Sequence, residues 1–190
     1  LFVRGQYPRD TQKQVESLHL KLRALSSMFE RLQPVQKREA GVTANVLLSL
    51  IDRMKNDAPL SERYSWFEST AYNTHGRIAL DEGTEESARR AVTHFEKNLN
   101  VFEAIGYTDG IVTAKGNIAL AKSKYESGNN EELVKASREL YELRVAEWGE
   151  EHEYTIIDGI DYAVYLRKAN RGGEAREFLT KLLATSKQIL

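Results

Sequence analysis

The stretch Gly128-Asn129-Asn130-Glu131-Glu132-Leu133 matches, position for position, Asn170-Arg171-Gly172-Gly173-Glu174-Ala175, which lies 42 residues further along the chain. Each joins a turn-forming Gly/Asn cluster to acids and then to an apolar residue. In that order one helix stops and the next opens with negative charge at its dipole's positive end. The same interval of 42 links Ala91, Leu133 and Ala175, with Phe95, Ser137 and Leu179 in step. In the preceding segments Ala121 and Ala163 also stand 42 apart, and Gly76 stands 45 before Ala121. A fixed period of this size is the mark of a repeated helix pair. Small residues at Gly76, Ala121 and Ala163 would let the paired helices approach closely.

Outward from that register, the chain reads as eight helices joined by short turns. From Thr11 to Gln33, Val15, Leu18, Leu22, Leu25, Phe29 and Leu32 recur at spacings of 3, 4, 3, 4 and 3, one helical stripe. Two readings of the stripe stand: core packing on the next helix, or a coiled-coil dimer seam. Pro34 suits a first turn and opens a second helix carrying Val46, Leu47, Leu50, Ile51 and Met54, which Asn56-Asp57-Ala58-Pro59 stops. A third is expected from Ser61 to Glu82, closing at Gly83. The fourth starts at Thr84, an N-cap followed by Glu85 and Glu86, and stops at Gly106. The fifth is expected from about Asp109 to Ser127 before Gly128, the sixth from Asn130 to Gly149, and the seventh from about Glu153 to Ala169, closing at Asn170-Arg171-Gly172. The eighth holds Ala175, Phe178, Leu179, Leu182 and Leu183 and runs to the C-terminus. No sustained period-two alternation occurs, so the expected fold class is all-α.

Composition narrows the function classes. The 27 Lys+Arg against 28 Asp+Glu give a formal net charge of -1, which argues against a dedicated nucleic-acid binder. With no cysteine, disulfide scaffolds, thiol catalysis and cysteine-ligated metal sites are excluded from this chain. The apolar run Val46 to Ile51 is far short of the about 20 residues that span a bilayer, and mean hydropathy is -0.52, so no membrane insertion is expected. The chain begins at Leu1 rather than methionine, as a fragment or processed product does; the expected location is cytoplasmic.

The repeat resembles the tetratricopeptide repeat, in which a first helix carries a small residue, a Gly-polar turn follows, and Ala opens the second helix. Gly76, Ala121 and Ala163 match the small position, and Ala91 and Ala175 the alanine, which Leu133 replaces in the middle repeat. The period and Trp148-Gly149-Glu150-Glu151-His152-Glu153-Tyr154-Thr155 are similar to the kinesin-light-chain variety, with Trp148 in place of a Leu and Glu153 in place of a Pro. Gly116 to Lys122 and Asn170 to Arg176 are also similar to repeat regions of proteins that carry a MYND-type zinc finger elsewhere. The resemblance covers about residues 69 to 190. It implies a right-handed solenoid of about four antiparallel helix pairs: a 1–10 extension, an 11–57 hairpin acting as cap or degenerate repeat, and repeats at 58–106, 107–149 and 150–190. It further implies a non-catalytic adaptor that binds a peptide or helix of a protein partner. The alternative is a structural scaffold subunit of a larger assembly.

Catalytic chemistry finds little support in the sequence. His19, His75, His94 and His152 form no metal-binding pair, so no metal and no cofactor is expected; His75 reads as a satisfied packing residue and His152 as a helix-start hydrogen-bond partner. Asp158 and Asp161, at i and i+3, share a helix face as an acid–base pair would, yet two acids on a helix are ordinarily solvated. Glu147, Glu150, Glu151 and Glu153 read as solvated acid near a turn. The glycines fit neither phosphate-binding pattern, and Arg89-Arg90 and Lys37-Arg38 are too few for a nucleic-acid patch. Trp66-Phe67 with Tyr64 and Tyr72 reads either as a binding hot spot or as inter-repeat core.

The resemblance also implies a groove. In the family, the residues three before, one after and four after the small position line the concave face. Here these are Asn73, Arg77 and Leu80; Ile118, Lys122 and Tyr125; and Ile160, Val164 and Arg167. Three cations alternate with apolar and aromatic residues, with no acid among the nine, so the expected partner segment combines acidic and apolar residues.

Overall fold

A computed structural model describes residues 9–57, 62–125 and 130–186, and the chain divides into two compact units, 1–107 and 108–190. All elements among the described residues are helical. The first unit holds α1 (Arg9–Ser27), a 3-10 turn (Phe29–Arg31), α2 (Pro34–Asp57), α3 (Glu62–Asp81) and α4 (Glu85–Ile105). The second holds α5 (Thr108–Lys122), α6 (Asn130–Trp148), α7 (Glu153–Lys168) and α8 (Gly172–Ser186). Within each unit consecutive helices pack on one another, and α1 also touches α3.

The sequence placed the first helix end six residues too late. The helix stops at Ser27, where the Ser27 hydroxyl donates to the Ala24 carbonyl oxygen at 2.9 Å and so competes with the helical ladder. The chain then turns through Met28 so that Phe29 and Leu32 still reach the interior. The fifth helix likewise ends at Lys122 rather than Ser127. Lys124 and Tyr125 close 3-10-type turns by donating to the carbonyl oxygens of Ala121 and Lys122, and the Ser123 hydroxyl donates to that of Leu120. Gly128, expected as the stop, and Ala58-Pro59 lie outside the described residues. Asn170, at φ 61, turns the chain left-handed, and Gly172 belongs to α8 rather than to the preceding turn.

Elsewhere the local signals act as expected. Thr84 caps α4 by accepting from the Ser87 amide at 3.0 Å while its own amide donates to the Ser87 hydroxyl at 3.1 Å. Gly106 closes α4 in the left-handed region at φ 67, where a side chain is strained. The first core joins Val15 and Leu22 of α1 to Ala44, Leu47 and Ile51 of α2 and to Phe67 and Ala71 of α3. The stripe of α1 is therefore used for packing inside the unit, the first of its two readings. In the second unit Val134 packs with Tyr162, Leu166 and Ala175, and Leu133 with Ala119 and Ala136.

Candidate functional site

The nine expected groove residues fall into two sets, described within their own units. Asn73, Arg77 and Leu80 lie on α3, all half-buried. The charge of Arg77 is already committed: its guanidinium donates to the Ser26 carbonyl oxygen at 2.7 Å and to the Glu30 carboxylate at 3.0 Å, and sits 4.4 Å from the centre of the Phe29 ring. Ile118 and Lys122 on α5, with Tyr125 in the turn beyond, are half-buried. Ile160, Val164 and Arg167 on α7 are exposed.

The structure adds neighbours that the spacing alone did not single out. Arg167 of α7 joins Ala175, Arg176, Leu179 and Leu183 of α8 around a groove of about 500 Å³. Leu179 stands in the repeat position that Phe95 and Ser137 fill as buried residues, yet it is 38% exposed and Leu183 is 55%. Among the described elements α8 packs chiefly on α7, and Leu179 and Leu183 lie on its exposed side. Arg167 and Arg176 make no ion pair within 4.0 Å among the described residues, and no acid lines the groove.

A second concavity, of about 110 Å³, lies among α5, α6 and α7. Leu133 and Ala136 form a buried floor, and Asp158, Asp161 and Tyr165 of α7 face Thr113 and Asn117 of α5 across it. Asp158 is not the solvated acid its sequence suggests. Its side chain is only 17% exposed and accepts from Arg144 at 3.1 Å, and Arg144 also pairs with Asp109. Asp161 is exposed and makes no ion pair within 4.0 Å among the described residues. Desolvation raises the proton affinity of both carboxyls, only in part at the exposed Asp161, whose carboxyl faces the pocket wall; Arg144 opposes this at Asp158 and Lys168 at Asp161. The nearby Ser137 hydroxyl donates to the Val134 carbonyl oxygen at 2.9 Å rather than to a base, so it lacks the pairing that activates a nucleophile.

The histidines are packing and capping groups. His152 caps α7, its ring nitrogen accepting from the Tyr154 amide at 3.3 Å. His75 and His94 stack at 5.0 Å between α3 and α4, but His75 Nε2 and His94 Nδ1 are buried with no hydrogen-bond partner among the described residues, so His75 packs with that nitrogen unsatisfied. His19 stacks on Phe67 at 4.0 Å. Among the described residues no group of three or more metal-ligating side chains is arranged to hold an ion, and no helix is long and apolar enough to cross a membrane. Trp66, 37% exposed, packs edge-on against Phe102 and Tyr107 of its own unit. Neither a family model nor a curated protein matches the chain.

Proposed function

We propose that the chain is a non-catalytic adaptor of the tetratricopeptide type that holds an acidic, apolar segment of a partner protein in the α7–α8 groove. One observation carries the reading: Arg167 and Arg176, which make no ion pair among the described residues, flank the exposed Leu179 and Leu183, with no acid among the described lining residues. An apolar strip between cations favours a helix or extended segment whose leucines enter the groove and whose carboxylates meet the arginines. Each exposed ion pair contributes only about 0.2–1 kcal/mol, so the leucine contacts dominate affinity and the charges select the partner. The repeat reading is supported by burial at the matched positions: Ala91 and Ala121 are 0% exposed, Ala163 and Ala175 1%, and Leu133, the departure from alanine, 2%.

Fluorescence anisotropy tests this with a labelled amphipathic peptide carrying leucines on one face and glutamates beside them, against its lysine-for-glutamate counterpart. The acidic peptide is expected to bind, the basic one to fail, and Leu183→Asp and Arg176→Glu each to weaken binding. Absence of binding by the acidic peptide overturns the reading. Self-association abolished by Leu183→Asp would put the scaffold alternative in its place.

A further inference from the structure

Helix α7 carries two faces, and its own unit covers one of them. Thr155, Gly159, Tyr162, Ala163 and Leu166 are buried, with α6 and α8 as the neighbouring helices. On the other side Ile157, Ile160 and Val164 remain 44%, 46% and 39% exposed. We propose that this second face pairs with the same face of a second copy of the chain, the two α7 helices running antiparallel about a twofold axis at Ile160.

Spacing is the first argument. Glu153, Ile157, Ile160, Val164 and Arg167 follow one another at intervals of 4, 3, 4 and 3, the pattern of a helix–helix seam, and all five are exposed. At 1.5 Å per residue the stripe runs about 21 Å. Two heptads are too few to hold two unfolded peptides together. Here α7 is already ordered by its unit, so pairing carries no cost of helix formation.

Charge fixes both the occupant and its direction. Ile160 stands at the middle of the stripe, seven residues from Glu153 at one end and seven from Arg167 at the other. Neither end residue makes an ion pair within 4.0 Å among the described residues. A parallel copy would set Glu153 on Glu153 and Arg167 on Arg167. An antiparallel copy sets Glu153 on Arg167 at both ends, Ile157 on Val164 at either side of the axis, and Ile160 on itself. The face is therefore complementary to itself, which is what a closed twofold interface requires. Glu150 and Glu151, exposed in the turn before α7, add acid at one end, and Arg176, beside Arg167 in the α8 groove, adds a cation at the other. On the flank of the stripe, Lys168 comes opposite Tyr154 of the second copy. One charge opposes the pairing: Asp161, exposed next to Ile160, meets its counterpart beside the axis.

The test is sedimentation equilibrium of the whole chain. A seam this short is small beside a standard interface of about 20–30 residues a side, so half-association is expected on the order of 10–100 μM. Ile160→Asp is expected to weaken the dimer by about tenfold or more. Glu153→Arg and Arg167→Glu should each weaken it about tenfold, since each puts like charges at both ends, and the double variant should return to within about twofold of the parent. Asp161→Asn is expected to tighten it about threefold by removing the opposed carboxylates. All the substituted side chains are exposed, so each variant is expected to keep the parental urea midpoint. A chain that stays monomeric throughout this range, undiminished association of Ile160→Asp, weakening by Asp161→Asn, or a double variant no tighter than the two single ones overturns the proposal. Association lost in Leu183→Asp but kept in Ile160→Asp moves the contact to α8 and overturns it as well. The stripe shares Arg167 with the peptide groove and none of its leucines, so failure of the acidic peptide to bind leaves this test intact.

Discussion

A Cβ placed on Gly76 would stand inside contact distance of three ring carbons of Phe95, so α3 and α4 meet through a glycine and a fully buried aromatic ring. In most helix interiors Gly→Ala stabilises by up to about 1 kcal/mol. Here Gly76→Ala is expected to destabilise by about 1–3 kcal/mol, because the methyl must displace a ring that has nowhere to go. Gly116→Ala on α5, with open space at its Cβ, is expected to stabilise. Urea unfolding of the two variants checks the opposite signs, and a stabilised Gly76→Ala would show that the helices do not approach closely at this point.

Arg77 acts as a brace rather than a partner contact. It links α3 to the end of α1 through the Ser26 carbonyl, Glu30 and the face of Phe29. Arg77→Ala is expected to cost about 1–2 kcal/mol, because the carbonyl and the ring each lose a cationic neighbour. Glu30, whose side chain is 82% exposed, should cost well under that when truncated. A parental denaturation midpoint for Arg77→Ala would return Arg77 to the list of residues free to bind a partner.

Acid should weaken the first unit. Burial, assisted by His75 and then by Lys97 and Arg90, pushes His94 down to about 4; burial and Lys97 lower His75; and burial, with Arg23 and Arg63, pushes His19 down to about 4. The unfolded chain takes up protons near the ordinary value of 6.5, while the folded chain resists until about 4. The unfolded state therefore holds more protons in that window, and stability falls as pH drops through it. Urea midpoints at pH 7 and pH 5 are expected to differ, and the difference to shrink when His75 and His94 are both replaced by Gln. An unchanged difference would clear the stacked pair of responsibility.

Helix stops were legible wherever a single residue decides the backbone: Gly83, Gly106 and Gly149 adopt φ 73, 67 and 85, and Thr84 forms its cap. The end of α5 was not, because Ser123 competes for a carbonyl by a rotamer that no spacing reveals. Charge engagement was hidden for a different reason. Arg77 meets Ser26 across 51 residues, and Arg144 meets Asp109 across 35, so the sequence shows the charges without their partners. Thus Arg77 read as a groove cation and Asp158 as a solvated acid. Arg176 escaped attention because periodicity marks which helix face is apolar but not which residues border the side left open.

The Arg144 cluster ties three helices of the second unit together, with Asp109 in the first turn of α5, Arg144 on α6 and Asp158 on α7. The guanidinium also lies 4.7 Å from the centre of the Trp148 ring. Removing one partner of a buried pair costs about 3–5 kcal/mol, but these side chains keep 14–18% of their exposure, so Arg144→Met is expected to cost about 2 kcal/mol at pH 7. The pH dependence separates charge from packing. In the parent, burial raises Asp158 and Arg144 opposes it; in the variant only the raising influences remain, namely burial, Asp161 and Asp109. The folded acid then keeps its proton to higher pH than the unfolded one, whose ordinary value is 3.8, so the contribution is present at low pH and lost as pH rises through the folded value. The deficit of Arg144→Met should accordingly be largest at pH 7 and narrow toward pH 4, while the histidines of the first unit affect parent and variant alike. Urea midpoints of both proteins at the two pH values measure this. A deficit equally large at both would assign the loss to the contact with Trp148 instead of to the carboxylates.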